Sequence, residues 1–155
     1  MPTIQQIASK LNKDAADTLV RNVRAMPADK VAWQPIEKGR TALSQLQECA
    51  IISGFTTYTL QNHALPADFN EAYGREMGEI DTVDKAIARL EERTSALVKV
   101  IDAFPDTDLE KTVKMPWMEQ PSTLAEVMFM TYWNVVYHVG QVSYIQTLYG
   151  DKEMH

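Results

Sequence analysis

Residues 123–150 read TLAEVMFMTYWNVVYHVGQVSYIQTLYG. Leu124, Val127, Met128, Thr131, Val135, Val142, Ile145 and Leu148 give this stretch an apolar stripe at helical spacing. Thr123 followed three positions later by Glu126 is a capping-box pattern two residues after Pro121, and Gly150 is a natural helix-ending glycine. One long helix is therefore expected. Two polar residues, Asn134 and His138, stand one turn apart beside or on the stripe that should face a core. Each buried polar group left unpaired costs about 1–3 kcal/mol, so this pair needs partners from elsewhere in the chain.

The same reading extends outward to three more helices. Ile4, Ile7, Ala8, Leu11, Ala15, Leu19 and Val23 predict a first helix over about residues 3–25, opened by Thr3 and Gln6 and stopped before Met26-Pro27. Leu43, Leu46, Ala50, Ile51, Ile52, Phe55 and Leu60 predict a second over about 41–62. Val83, Ile87, Leu90, Thr94, Leu97, Ile101 and Phe104 predict a third, the clearest of the four. Between them, residues 27–40 read as an ordered connection packed by Trp33, and 67–80 as a surface excursion with at most short helical turns. The alternating Thr112-Val113-Lys114-Met115 reads as a short strand or hairpin over the bundle. The sum is an all-α chain, an antiparallel four-helix bundle forming a single domain over residues 1–155.

Composition narrows the function classes. With 15 Lys plus Arg against 21 Asp plus Glu in 155 residues, the net charge is −6, which argues against a phosphate-backbone binder; nucleic acid is not an expected partner. No stretch approaches eighteen consecutive apolar residues and the first residues lack a basic start before an apolar run, so neither a membrane span nor secretion is expected. Cys49 is the lone cysteine, which suits a reducing compartment and a cytoplasmic location.

Glu48 poses on the second helix the question that His138 poses on the fourth. A carboxylate at the edge of an apolar face must reach solvent, meet a positive partner, bind a metal or stay protonated. His138 is the obvious partner across the bundle. One Glu, one His and one amide can surround a divalent metal with positions left open for water, although the amide makes a weak donor set. His63, fifteen residues beyond Glu48, would lie about 22 Å away along a helix and is not expected at the same place. His155 reads as an exposed tail residue and Cys49 as a buried structural thiol. A ferritin-like di-metal centre would need repeated Glu-x-x-His pairs, and residue 135, three before His138, is Val.

The stretch from Met26 to Pro35 (MPADKVAWQP), then Gly39-Arg40-Thr41, Tyr137-His138-Val139-Gly140-Gln141 and Leu148-Tyr149-Gly150 resemble the DinB/YfiT-like superfamily over nearly the whole chain. That resemblance implies a four-helix bundle of DinB/YfiT type, often a homodimer. Many members of the family hold zinc or nickel through three histidines, one on the second helix and two at i, i+4 on the fourth. Some are transferases or isomerases dependent on bacillithiol, mycothiol or glutathione. Carried over, the second-helix histidine, seven residues after the Ser or Thr opening that helix, falls on Glu48. Those of the fourth helix fall on Asn134 and His138, so one histidine of three is kept.

Two functional expectations follow. One is a relative of the metal-dependent thiol transferases or hydrolases whose altered triad, Glu48, Asn134 and His138, holds zinc or nickel. The other is a non-catalytic bundle without metal that binds a small-molecule ligand or acts as a dimeric interaction protein. The discriminator for the second is whether a pocket opens beside Glu48, Asn134 and His138 or whether side chains close it.

Overall fold

The computed structural model describes residues 1–155. Four long helices carry the architecture: α1 (Ile4–Ala25), α3 (Ala42–Asn62), α5 (Val83–Asp102) and α7 (Met130–Leu148). Between them lie the shorter α2 (Ala28–Val31), α4 (Phe69–Glu79) and α6 (Leu124–Val127), a 3-10 turn at Asp106–Asp108, and the strands β1 (Thr112–Val113) and β2 (Ser122–Thr123).

Each long helix begins and ends for a local reason. Thr3 caps α1 through a reciprocal pair: its Oγ1 accepts from the Gln6 amide at 3.2 Å, and its own N–H donates to Gln6 Oε1 at 3.0 Å. The helix stops at Met26 in extended conformation, as a residue before proline must. Thr41 and Thr82 cap α3 and α5 one way only, their hydroxyls accepting from the Ser44 and Lys85 amides. At the far end of α3, His63 adopts φ 54°, a left-handed conformation that closes the helix without a glycine.

Side-chain contacts fix the helix directions. Asn12 reaches the Met128 carbonyl and Gln146 reaches the Asn22 carbonyl, so α1 and α7 run side by side in the same direction. Ser9 meets Asp102 and Arg24 meets Glu91, so α5 runs against α1. Thr56 pairs with Thr131 and Glu48 with His138, so α3 runs against α7. It follows that α3 and α5, which pack on each other, run parallel. Each helix has one parallel and one antiparallel neighbour.

A parallel pair cannot be joined by a tight turn; the chain must first travel back along the bundle. Residues 63–82 make that return, and they contain α4, an eleven-residue helix where the sequence suggested only short helical turns. Its two glycines and acidic surface weaken its pattern. What holds it is tertiary: Gln47, buried on α3, donates to the carbonyls of Met77 (3.1 Å) and Ile80 (2.9 Å) at its end, and Phe69 packs on Phe55 with ring centroids 4.5 Å apart.

The expected fourth helix is also interrupted. α6 ends at Val127 and α7 starts at Met130, and the Met128 carbonyl beside the break accepts from the buried Asn12 amide at 2.8 Å. The β1–β2 ladder, Thr112 opposite Thr123, carries the α5–α7 connection across one end of the bundle and covers a small apolar cluster containing Leu60, Leu97, Ile101, Met115, Leu124 and Met128. The main core runs through Leu19, Leu46, Ile51, Ile87, Leu90, Val135 and Val142. No helix is long and apolar enough to cross a membrane.

Asn12 gives a direct test of this arrangement. Replacing it by Ala leaves the Met128 carbonyl buried without a donor, so urea unfolding of Asn12→Ala should show a loss of about 1–3 kcal/mol with an unchanged slope.

Candidate functional site

The structure brings Glu48, Asn134 and His138 together between α3 and α7. Asn134 and His138 share one face of α7 because they are four residues apart, and Glu48 opposes them from the antiparallel α3. His138 is 1% exposed and Glu48 20%, so the imidazole is inside and the carboxylate forms the lip.

The carboxylate is the hub. Its Oε1 accepts from His138 Nε2 at 3.0 Å and from Asn134 Nδ2 at 2.9 Å. Its Oε2 accepts from Arg40 at 2.7 Å and, more loosely, from the Tyr73 hydroxyl at 3.4 Å. Two carboxylate oxygens offer about four acceptor directions, and four donors occupy them. The hydrogen bond from His138 holds the Glu48 carboxyl down at about 2; partial burial pushes the other way, and Asn134 and the Arg40 charge reinforce the lowering. Glu48 is therefore an ionised acceptor with no proton to give.

His138 is clamped at both ends. Nε2 faces the ionised carboxylate and donates to it. Nδ1 faces the side-chain oxygens of Gln45 at 3.0 Å and Gln141 at 2.8 Å; a half-turn of either amide would present its NH2 instead, so this end is satisfied in either charge state. The ring of Tyr137 meets the imidazole edge-on at 5.1 Å. One need is left over: Asn134 Oδ1 is buried with no donor.

Four of these contributors were not singled out as site residues from sequence. Arg40 sits just before the cap of α3, two helical turns from Glu48, and also donates to the Ser44 carbonyl at 3.1 Å. Gln45, one turn before Glu48, is a polar residue on a buried face, a signal of the kind that Asn134 and His138 gave. Gln141 lies in the Tyr137–Gln141 stretch that carries the family resemblance, and it supports the ring. Tyr73 comes from α4, so missing the helix meant missing the residue.

The other candidates lie elsewhere. His63, at the end of α3, is 3.5 Å from Asp108 and lines an open groove of about 860 Å3 with Phe69 and Trp117. His155 pairs with Asp151 at 2.9 Å. Cys49 is fully buried, and burial drives its thiol far above the ordinary range, so it is no nucleophile. Neither the His63 groove nor the main cavities along the other faces include Glu48, Asn134 or His138.

The donor set does not fit a divalent cation. It offers one imidazole, one carboxylate and one amide, and the single negative charge is already neutralised by a guanidinium in contact with it. A dication placed there would stand next to Arg40 with no further anion to balance it, and no group of three or more His, Cys, Asp or Glu side chains gathers here or elsewhere.

Comparison with known proteins agrees with the architecture. A family model described as the DinB superfamily matches residues 11–142. The crystal structure of a conserved protein from Enterococcus faecalis superposes with a TM-score of 0.74 at 13% identity, covering 96% of this chain and 98% of that one, a likeness of fold. No curated protein matches the chain.

The depressed carboxyl ties stability to pH. Because the folded value lies below the ordinary 4.5, its contribution is complete above about pH 4.5 and fades as pH falls toward about 2. Denaturant melts across that window should show a smaller acid-induced loss in Glu48→Gln than in the parent chain.

Proposed function

The chain belongs to the DinB superfamily, and we propose that within it this protein is a non-catalytic, metal-free bundle whose centre is a structural acid–imidazole pair. One observation carries the reading: all four acceptor directions of Glu48 are taken by donors of the chain itself, one of them the Arg40 guanidinium. Arg40 supplies the positive charge that a metal would bring to a triad of ligands. No lone pair of that carboxylate is free to bind a cation or to take a proton from a substrate or a bound water, and none of the five main cavities includes Glu48, Asn134 or His138.

The metal-dependent thiol-transferase or hydrolase chemistry that the family resemblance implies would need Glu48 released from Arg40 and His138 turned from Glu48 toward a metal. Only Asn134 Oδ1, buried and unpaired, speaks for an added group at this place. A water molecule or the donor of a small ligand meets that need as well as a metal does. We also place the protein in the cytoplasm, on the strength of its single buried thiol.

The test is metal content. Protein purified without an affinity tag, loaded with zinc or nickel and then desalted, should retain no stoichiometric metal. A double variant, Glu48→His with Asn134→His, gives the site three imidazoles and should retain one ion per chain. Stoichiometric, tight metal in the parent chain, lost in His138→Ala, would overturn the proposal.

A further inference from the structure

We infer that a methionine-lined cavity between the segment 115–122 and the α6–α7 stretch binds a hydrophobic organic cation, a small molecule whose ammonium or phosphonium centre carries aryl or branched alkyl groups. The cavity includes none of Glu48, Asn134 and His138, and the inference stands whether or not those residues hold a metal.

The first observation is where the methionines fall. Four of the eight in the chain, Met115, Met118, Met128 and Met130, lie within residues 115–130. Met115, Met118 and Met130 line one cavity of about 430 Å3, a volume within the range of small-molecule sites. Core methionines are covered on all sides. Here Met118 is 44% exposed and Trp133 at the rim is 71% exposed, while Met115 and Val127 form a buried wall behind them. Unbranched thioethers adapt to the shape of what they touch, which suits a surface that receives a ligand.

The second observation is that the chain orders both walls by itself. The Met118 N–H donates to the Met115 carbonyl at 3.2 Å, closing a turn, and Ser122 Oγ donates to the Met118 sulfur at 3.3 Å. Across the cavity, Met130 and Trp133 are three residues apart on α7 and share a face.

The third observation is charge. Residues 115–133 contain Glu119 and Glu126 and no Lys, Arg or His. The cavity is lined by one acid, Glu126, and by no basic residue. Glu126 Oε2 belongs to the α6 capping box, accepting from the Thr123 N–H at 2.8 Å and its hydroxyl at 3.1 Å; no donor of the chain meets Oε1. Lys114, the nearest ammonium in sequence, donates instead to the carbonyls of Met118 and Glu119. The lining adds an indole and three thioethers, whose π face and sulfur lone pairs are electron-rich. A cation over an indole is attracted by the ring quadrupole, more so as water is excluded. An anion would meet Glu126 with no base to offset it.

The other main cavities lack this combination. The His63 groove is lined by Lys114, the slot between α1 and α5 by Lys13 and Lys99, and the cavity under the C-terminal tail by Arg21 and Lys152. The cavity beside Asp102 and Asp106 has no base, but Phe104 is its one apolar residue. An apolar body and an unbalanced negative charge therefore meet in the methionine cavity alone among the five. Its volume asks for bulk around the ligand's charge, since a bare ammonium ion would leave the thioethers uncovered.

The experiment uses the full-length chain and two ions of one shape and opposite charge, tetraphenylphosphonium and tetraphenylborate. In titration calorimetry the phosphonium should bind saturably at one per chain, and the borate roughly tenfold more weakly or not at all. Glu126→Gln keeps the capping box, which accepts either residue, and should weaken the phosphonium about threefold or more. Trp133→Leu keeps apolar bulk at an exposed position and should also weaken it about threefold or more. Glu71→Gln removes the same charge from the His63 groove and should bind as the parent does. All three variants should keep the parent's helical circular dichroism. The inference is overturned by a parent that does not bind the phosphonium saturably, by borate binding as tightly, by either cavity variant binding like the parent, or by Glu71→Gln weakening binding as much as Glu126→Gln. A protein seated over Trp133 would register as the first of these outcomes.

Discussion

A carboxylate and an imidazole held between two helices constrain the rest of this molecule. Glu48 and His138 come from α3 and α7, and neither could be buried alone without a penalty of several kcal/mol. Once they meet, the register of α3 against α7 is set to within a turn, because Asn134, Gln45 and Gln141 are brought to the same pair by helical spacing alone. Arg40 and Tyr73 then complete the carboxylate from the two segments that flank α3 in sequence. The connections are thus tied to the centre as well, firmly through Arg40 and more loosely through Tyr73.

That closure has a chemical consequence. A site that reacts needs an unsatisfied group: an open coordination position, a base with a free lone pair, or a nucleophile near its working protonation state. Here the carboxylate is saturated, the imidazole is gripped at both nitrogens, and the one thiol is buried and protonated. The single unmet need, Asn134 Oδ1, asks for a donor and offers no reactivity of its own. The centre resembles a rivet more than a reaction chamber.

α7 has two faces with separate tasks. Inward it carries the polar centre and the core residues Val135 and Val142; outward it carries an uncharged aromatic ridge with a glycine at its middle. Both come from nineteen residues without a formal charge apart from whatever proton His138 binds. Amphipathic reasoning looks for one apolar stripe and one polar one, and α7 departs from it by being apolar on the outside and locally polar within.

Much of this was legible in the residues themselves. The four long helices follow from three- and four-residue periodicity and from helix-opening residues such as Thr3, Thr41 and Thr123, all short-range features. The meeting of Glu48 with His138 was legible too, since two polar residues on apolar faces had few other partners. Three things were not. α4 forms because Gln47 and Phe55 hold it, and its own sequence shows little periodicity. The break at Met128 depends on a hydrogen bond from Asn12, 116 residues away. Arg40 takes up the carboxylate from just outside the cap of α3, a side-chain reach of two helical turns. Local order was written in spacing and capping, which act within a turn or two. Which helices run parallel, which donors fill a carboxylate and which face stays bare are properties of long-range packing, and only the folded chain decided them.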